Sequence, residues 1–141
     1  MTNRQMIGIW IARALVGIVF ILNVQSAVSF LGWPDLYISA FELSGEVGKV
    51  TLRGYGILFL MWNVPYFFAL LNPVKNRLSL LQANIMQFIG LIGESILLMT
   101  IDKTHWLLAS SIRRFVIFDG IGLALLVLAG LIVYRQQKLF S

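Results

Sequence analysis

Six ionisable side chains interrupt otherwise apolar stretches of this sequence: Arg13, Arg53, Glu94, Arg113, Arg114 and Asp119. Each costs roughly 2.5 kcal/mol or more at the centre of a membrane-spanning helix unless it is paired or wetted, so their placement is where chemistry is sought first. On helical spacing Glu94 shares a face with Ala83, Gln87 and Gly90, and Asp119 with Gly122 and Leu126. The same spacing groups Arg53 with Gly56, Leu60, Asn63 and Phe67, and Arg13 with Val16, Phe20, Asn23 and Ala27. Such stripes of small and polar residues belong where helices approach closely in a bundle. At a rise of about 1.5 Å per residue in alternating helices, Asn23, Gln25, Arg53, Glu94 and Asp119 fall within roughly 5 to 15 Å of one membrane edge. Arg53 with Arg113 or Arg114 is then expected to neutralise Glu94 and Asp119, because the planar guanidinium suits a desolvated carboxylate. An ion-pair network that fixes helix register is the plainer reading of this cluster, and a proton- or ligand-binding site the sharper one.

Arg13 sits roughly 10 Å inside the opposite edge, near Asn63, Gln82, Asn84 and Gln87 but no carboxylate. It either snorkels to phosphate headgroups or meets the polar head of a bound molecule. Trp62 and Pro65 at mid-span either line a flat apolar cavity for a quinone or isoprenoid, or pack a kink. A ligand or lipid-head site would therefore draw on Arg13, Trp62, Asn63 and Gln87. His105 beside Asp102 and Lys103 is one imidazole with one carboxylate, which reads as a solvated loop histidine and no metal site.

The elements that must position these groups follow from composition. The chain has 141 residues, 59% hydrophobic and only 12% charged, where a soluble globule carries roughly 25% charge. Apolar runs of spanning length lie at about 7–31, 50–71, 78–101 and 111–134, making one transmembrane domain. The first is too long for a signal-peptide core and is read as retained. Trp33-Pro34 ends it, and the segment Leu36 to Leu43 is amphipathic enough for a short interfacial helix. Ser44 and Glu46 look like a cap and an acidic first turn. Pro65 removes a donor within the second span and predicts a kink. Arg113-Arg114 either ends an interfacial stretch from Trp106 or lies within the last helix. The expected fold is an all-α integral membrane protein, an up-down four-helix bundle. Arg4, Lys75, Arg77, Arg135 and Lys138 then share a side without acids, which favours cytoplasmic termini in a bacterial inner membrane.

The sequence also excludes chemistry. With no cysteine and one histidine, it offers no disulfide, thiolate metal site, iron–sulfur ligation or imidazole pair for haem. The net charge of +5 falls at the ends of apolar segments, where headgroups account for it, so nucleic acid is not expected. No phosphate loop, dinucleotide fingerprint, nucleophile elbow or zinc-protease helix is present. Ala12-Arg13 followed by Gly17 and Phe20, with four spans in about 140 residues, resembles the DoxX-like small membrane proteins. The resemblance implies a four-helix bundle, in some members an accessory subunit of a quinone-linked oxidoreductase.

Three classes follow. An accessory subunit, or a binder of a lipophilic molecule such as a quinone or lipid, comes first, with a membrane partner or a second copy as company. A small oligomeric proton-coupled transporter or channel using Glu94 or Asp119 comes second. An enzyme comes last, because neither a nucleophile, a metal site nor a cofactor motif is evident.

Overall fold

A computed structural model describes residues 3–138, with the side chains of Arg4, Gln137 and Lys138 outside the described set. Helix accounts for 88% of it, and no strand occurs among the described residues. The helices are α1 (Asn3–Gly32), α2 (Gly45–Trp62), α3 (Val64–Leu71), α4 (Arg77–Thr100) and α5 (Trp106–Lys138). With α2 and α3 taken as one interrupted rod, four helices are long and apolar enough to cross a membrane. α1 and α5 extend past the expected span limits. At 30 and 33 residues they are roughly 45–50 Å long, more than the roughly 30 Å hydrocarbon layer requires. Arg113 and Arg114 lie inside α5, which runs unbroken from Trp106.

The linker after α1 forms two short 3₁₀ turns, Pro34–Leu36 and Ile38–Phe41, in place of one amphipathic α-helix. Pro34 lacks the N–H that a longer helix would use, and Glu42 in the left-handed region (φ 55°) stops the second turn. Ser44 occupies the N-cap of α2 with extended backbone, but its hydroxyl caps nothing.

The break expected from Pro65 falls two residues earlier. Asn63 separates α2 from α3, its backbone N–H reaching Phe59 and Leu60 and its side-chain Nδ2 donating to the Phe59 carbonyl at 2.6 Å. Pro65 sits in the first turn of α3, where its missing donor costs nothing. The break redirects the rod. α3 packs against both α1 and α4, whereas α2 keeps to α1.

The core reflects small and branched residues at close crossings. Ala12, Val16, Val19, Tyr66, Ala69, Leu80, Ala83, Leu126, Ala129 and Val133 form one buried cluster. Its outer surface is a sleeve of exposed isoleucine, leucine and phenylalanine, among them Ile18, Ile57, Phe88 and Ile121. An apolar exterior around a core of small residues is the pattern a bilayer accepts and water does not.

Candidate functional site

A polar chain links four helices, α2 to α5, next to the Asn63 break. Trp62 Nε1 donates to the Tyr66 hydroxyl at 3.2 Å, and that hydroxyl lies 2.5 Å from Gln87 Oε1. The Ala83 carbonyl is 3.2 Å from the same hydroxyl, whose single proton is best spent on the nearer Gln87. Gln87 Nε2 then donates to Asp119 Oδ1 at 2.8 Å. Both ends of the Gln87 amide are therefore engaged, which sets its orientation and holds Asp119 across the α4–α5 contact. Two glycines admit this arrangement. A Cβ at Gly90 would collide with Asp119 Oδ2, and one at Gly122 would lie 2.7 Å from Gln87 Nε2.

Above the chain lies a cavity of about 200 Å³, bounded by α1, the end of α2, α4 and α5. It occupies the region where α2 stays with α1 and away from α4. Phe59, Trp62, Phe115 and Phe118 give it aromatic walls; Glu94 and Asp119 supply acid, and Asn23, Asn63 and Gln87 supply amides. Three of these residues carry buried atoms without a hydrogen-bond partner: Asn23 Nδ2, Asn63 Oδ1 and Glu94 Oε2. Unpartnered buried polar atoms are uncommon, and here three belong to residues that line one space.

The arginines expected at this cluster are elsewhere. Among the described residues no lysine or arginine lies within 4.0 Å of Glu94 or Asp119; the ion pairs are Lys49–Asp35 at 2.8 Å and His105–Glu42 at 2.5 Å. Arg53, Arg113 and Arg114 are exposed. The reason for Arg53 is a rotation of α2: its buried face runs through Gly48, Leu52 and Gly56, so Arg53, about 100° further round, points away. Leu60 and Phe67, expected on the same stripe as Arg53, are exposed too. Gln25 is exposed and lines a separate cavity with Arg114, Tyr37 and Ser111. Of the expected cluster the structure thus brings together Asn23, Glu94 and Asp119.

Arg13 also stands apart from Trp62, Asn63 and Gln87, which do share the main cavity. Its Nε donates to the Leu70 carbonyl at 3.0 Å, and its guanidinium lies 4.4 Å from the centre of the Trp10 ring. Leu70 is in the last turn of α3, so Arg13 caps a helix C-terminus, where a cation is favoured. The partner is a backbone carbonyl, which no search for carboxylates would find.

His105 is paired as well as exposed. Glu42 receives its Nδ1 on one oxygen and the Leu108 backbone N–H, at 3.2 Å, on the other, so the linker carboxylate caps the start of α5. Ser111 Oγ adds a 2.6 Å bond to the Ala40 carbonyl. The hydrogen bond from His105, then that from Leu108, holds the Glu42 carboxyl below its ordinary range, and Glu42 in turn pushes the His105 imidazole up. Tyr66, Phe115 and Phe118 were not singled out by spacing; only the closeness of Tyr66 to Asn63 and Trp62 hinted at the first.

No family model matches this chain, and no curated protein or solved structure is similar to it.

Proposed function

We propose that this chain is a non-catalytic integral membrane protein, an up-down four-helix bundle that holds a small lipophilic molecule with a polar head in the cavity beside the Asn63 break. The observation that carries the reading is the convergence of three unpartnered buried polar atoms, on Asn23, Asn63 and Glu94, around one aromatic-walled space. A quinone or a lipid is such a lipophile, and the DoxX-like resemblance at Arg13, Gly17 and Phe20 is in keeping with an accessory subunit that carries one. Both termini face the cytoplasm of a bacterial inner membrane in this reading, with the two 3₁₀ turns at the opposite interface. Reporter fusions at Ser141 and in the 75–77 turn are expected to report the same side.

The test is extraction from native membrane under gentle conditions, followed by native mass spectrometry and organic extraction. A stoichiometric small molecule is expected, and Ser26→Phe, which places a ring in the cavity, removes it without dissociating any protein partner. A protein partner with no small molecule would replace this reading with a purely structural subunit. A second reading, a small oligomeric proton-coupled transporter or channel, is favoured by one observation: Glu94 and Asp119 share the cavity with no arginine beside them. Proton-coupled flux in liposomes that Glu94→Gln abolishes selects that reading.

A further inference from the structure

The polar groups around the cavity are unevenly matched. Two of the three unpartnered atoms are acceptors, Asn63 Oδ1 and Glu94 Oε2, and the third, Asn23 Nδ2, is a donor. Asn63 is only 3% exposed, so bulk solvent does not serve it. Asp119 adds a second carboxyl, of which Oδ1 is engaged by Gln87. A quinone brings only acceptor oxygens, and of the three unpartnered atoms only Asn23 Nδ2 can donate to them. A metal ion is poorly served, since the described residues contain no group of three or more histidine, cysteine or acidic side chains able to hold one. The remaining wall is aromatic, and ring faces attract cations within about 6 Å of their centres.

We propose that the cavity binds a protonated amine carried on an apolar group, its N–H donors on Glu94 and Asn63 and its body against Phe59, Trp62 and Phe118. The inference rests on the cavity reading above and names the chemical class of the guest. The ammonium supplies the counter-charge that Arg53, Arg113 and Arg114 do not. The space of about 200 Å³ admits a small arylalkyl amine.

The test titrates the purified full chain, in phosphatidylcholine nanodiscs, with 2-phenylethylammonium chloride and with 2-phenylethanol. The two differ chiefly in charge at the polar end. The amine is expected to bind at least tenfold more tightly than the alcohol. Glu94→Gln is expected to weaken the amine by roughly tenfold or more, the equivalent of one charge-assisted hydrogen bond, and to leave the alcohol unchanged. Should Glu94→Gln fail to fold, Phe118→Leu keeps both acids and removes one ring of the wall; it is expected to weaken both probes, and the amine several-fold more than the alcohol. Equal binding of amine and alcohol, unaffected by these substitutions, overturns the cationic guest and leaves the cavity reading standing. Binding of neither probe overturns the cationic guest, and the cavity reading then falls only if native extraction also yields no small molecule.

Discussion

Replacing Arg13 with methionine removes the guanidinium and keeps an unbranched apolar stem. In α3 the Leu70 carbonyl has no backbone donor of its own, because Val74 N–H turns to the Asn72 side chain at 3.1 Å. Its partner is Arg13 Nε at 3.0 Å, so the substitution leaves a helix-terminal carbonyl unpaired. A hydrogen bond from a charged group contributes about 1.5–3 kcal/mol. The contact with the Trp10 ring adds about 0.5–1 kcal/mol. The attraction to the helix end comes from the same carbonyls and is not counted again. Arg13→Met is therefore expected to destabilise the fold by about 2–4 kcal/mol in reversible unfolding in mixed micelles. Arg13→Lys, which retains the charge but not the fork, should lose about half as much. Occupancy of the cavity should stay as in the native chain, because Arg13 lines none of it. An Arg13→Met protein within about 0.5 kcal/mol of native stability would refute the capping argument, above all if its guest were lost.

Tyr66→Phe deletes the hydroxyl between Trp62 and Gln87 and strands two buried polar atoms, for an expected loss of about 1–3 kcal/mol; unchanged unfolding would show that the chain of bonds is not closed. Arg53→Gln is expected to change stability by less than about 0.5 kcal/mol, and a double-mutant cycle with Glu94→Gln to show coupling near zero; coupling above about 1 kcal/mol would restore the ion pair. The docking of the linker on α5 should depend on pH. The raised imidazole value of His105 stabilises the docked form below its unfolded value of 6.5 and loses effect as pH rises through the folded value. The lowered carboxyl value of Glu42 stabilises it above 4.5 and loses effect as pH falls through the folded value. Protection of the Leu108 amide from hydrogen exchange, relative to His105→Gln, should therefore be greatest between pH 4.5 and 6.5, and a flat profile would contradict the pairing.

The spans were legible because runs of about 20 apolar residues admit few other readings. The inward faces of α4 and α5 were legible for a similar reason: Ala83, Gln87, Gly90 and Glu94 leave one side of α4 unlike the rest, and Asp119, Gly122 and Leu126 do so on α5. On α2 the expected stripe is half right: Gly56 and Asn63 are buried, but Arg53, Leu60 and Phe67 face outward, and the buried neighbour of Arg53 is Leu52. In lipid, an exposed leucine is no anomaly, and hydrophobicity does not tell inside from outside. The break at Asn63 was visible through Pro65, but its effect on packing, with α2 separating from α4, depends on tertiary contacts. Two further features had no local signal. The Glu42–His105 pair joins residues 63 positions apart, and Arg13 answers to a backbone carbonyl 57 positions away.

The Asn63 break divides the molecule lengthwise into unlike halves. The buried cluster, from Ala12 to Val133, draws on α3 and not on α2, whereas the cavity draws on the end of α2, with Trp62 touching both. Different stretches of the same helices thus line the open space and build the closed cluster. Exchanges at Asn23, Ser26 and Phe118 change the lining of a space that is already open, whereas Phe59 and Phe115 also pack on the buried Phe30 ring. Sequence drift in descendants of this chain can then alter what is held while the scaffold persists. Related chains should vary most at the cavity wall and least at Ala12, Ala69, Ala83 and Ala129, where helix axes meet.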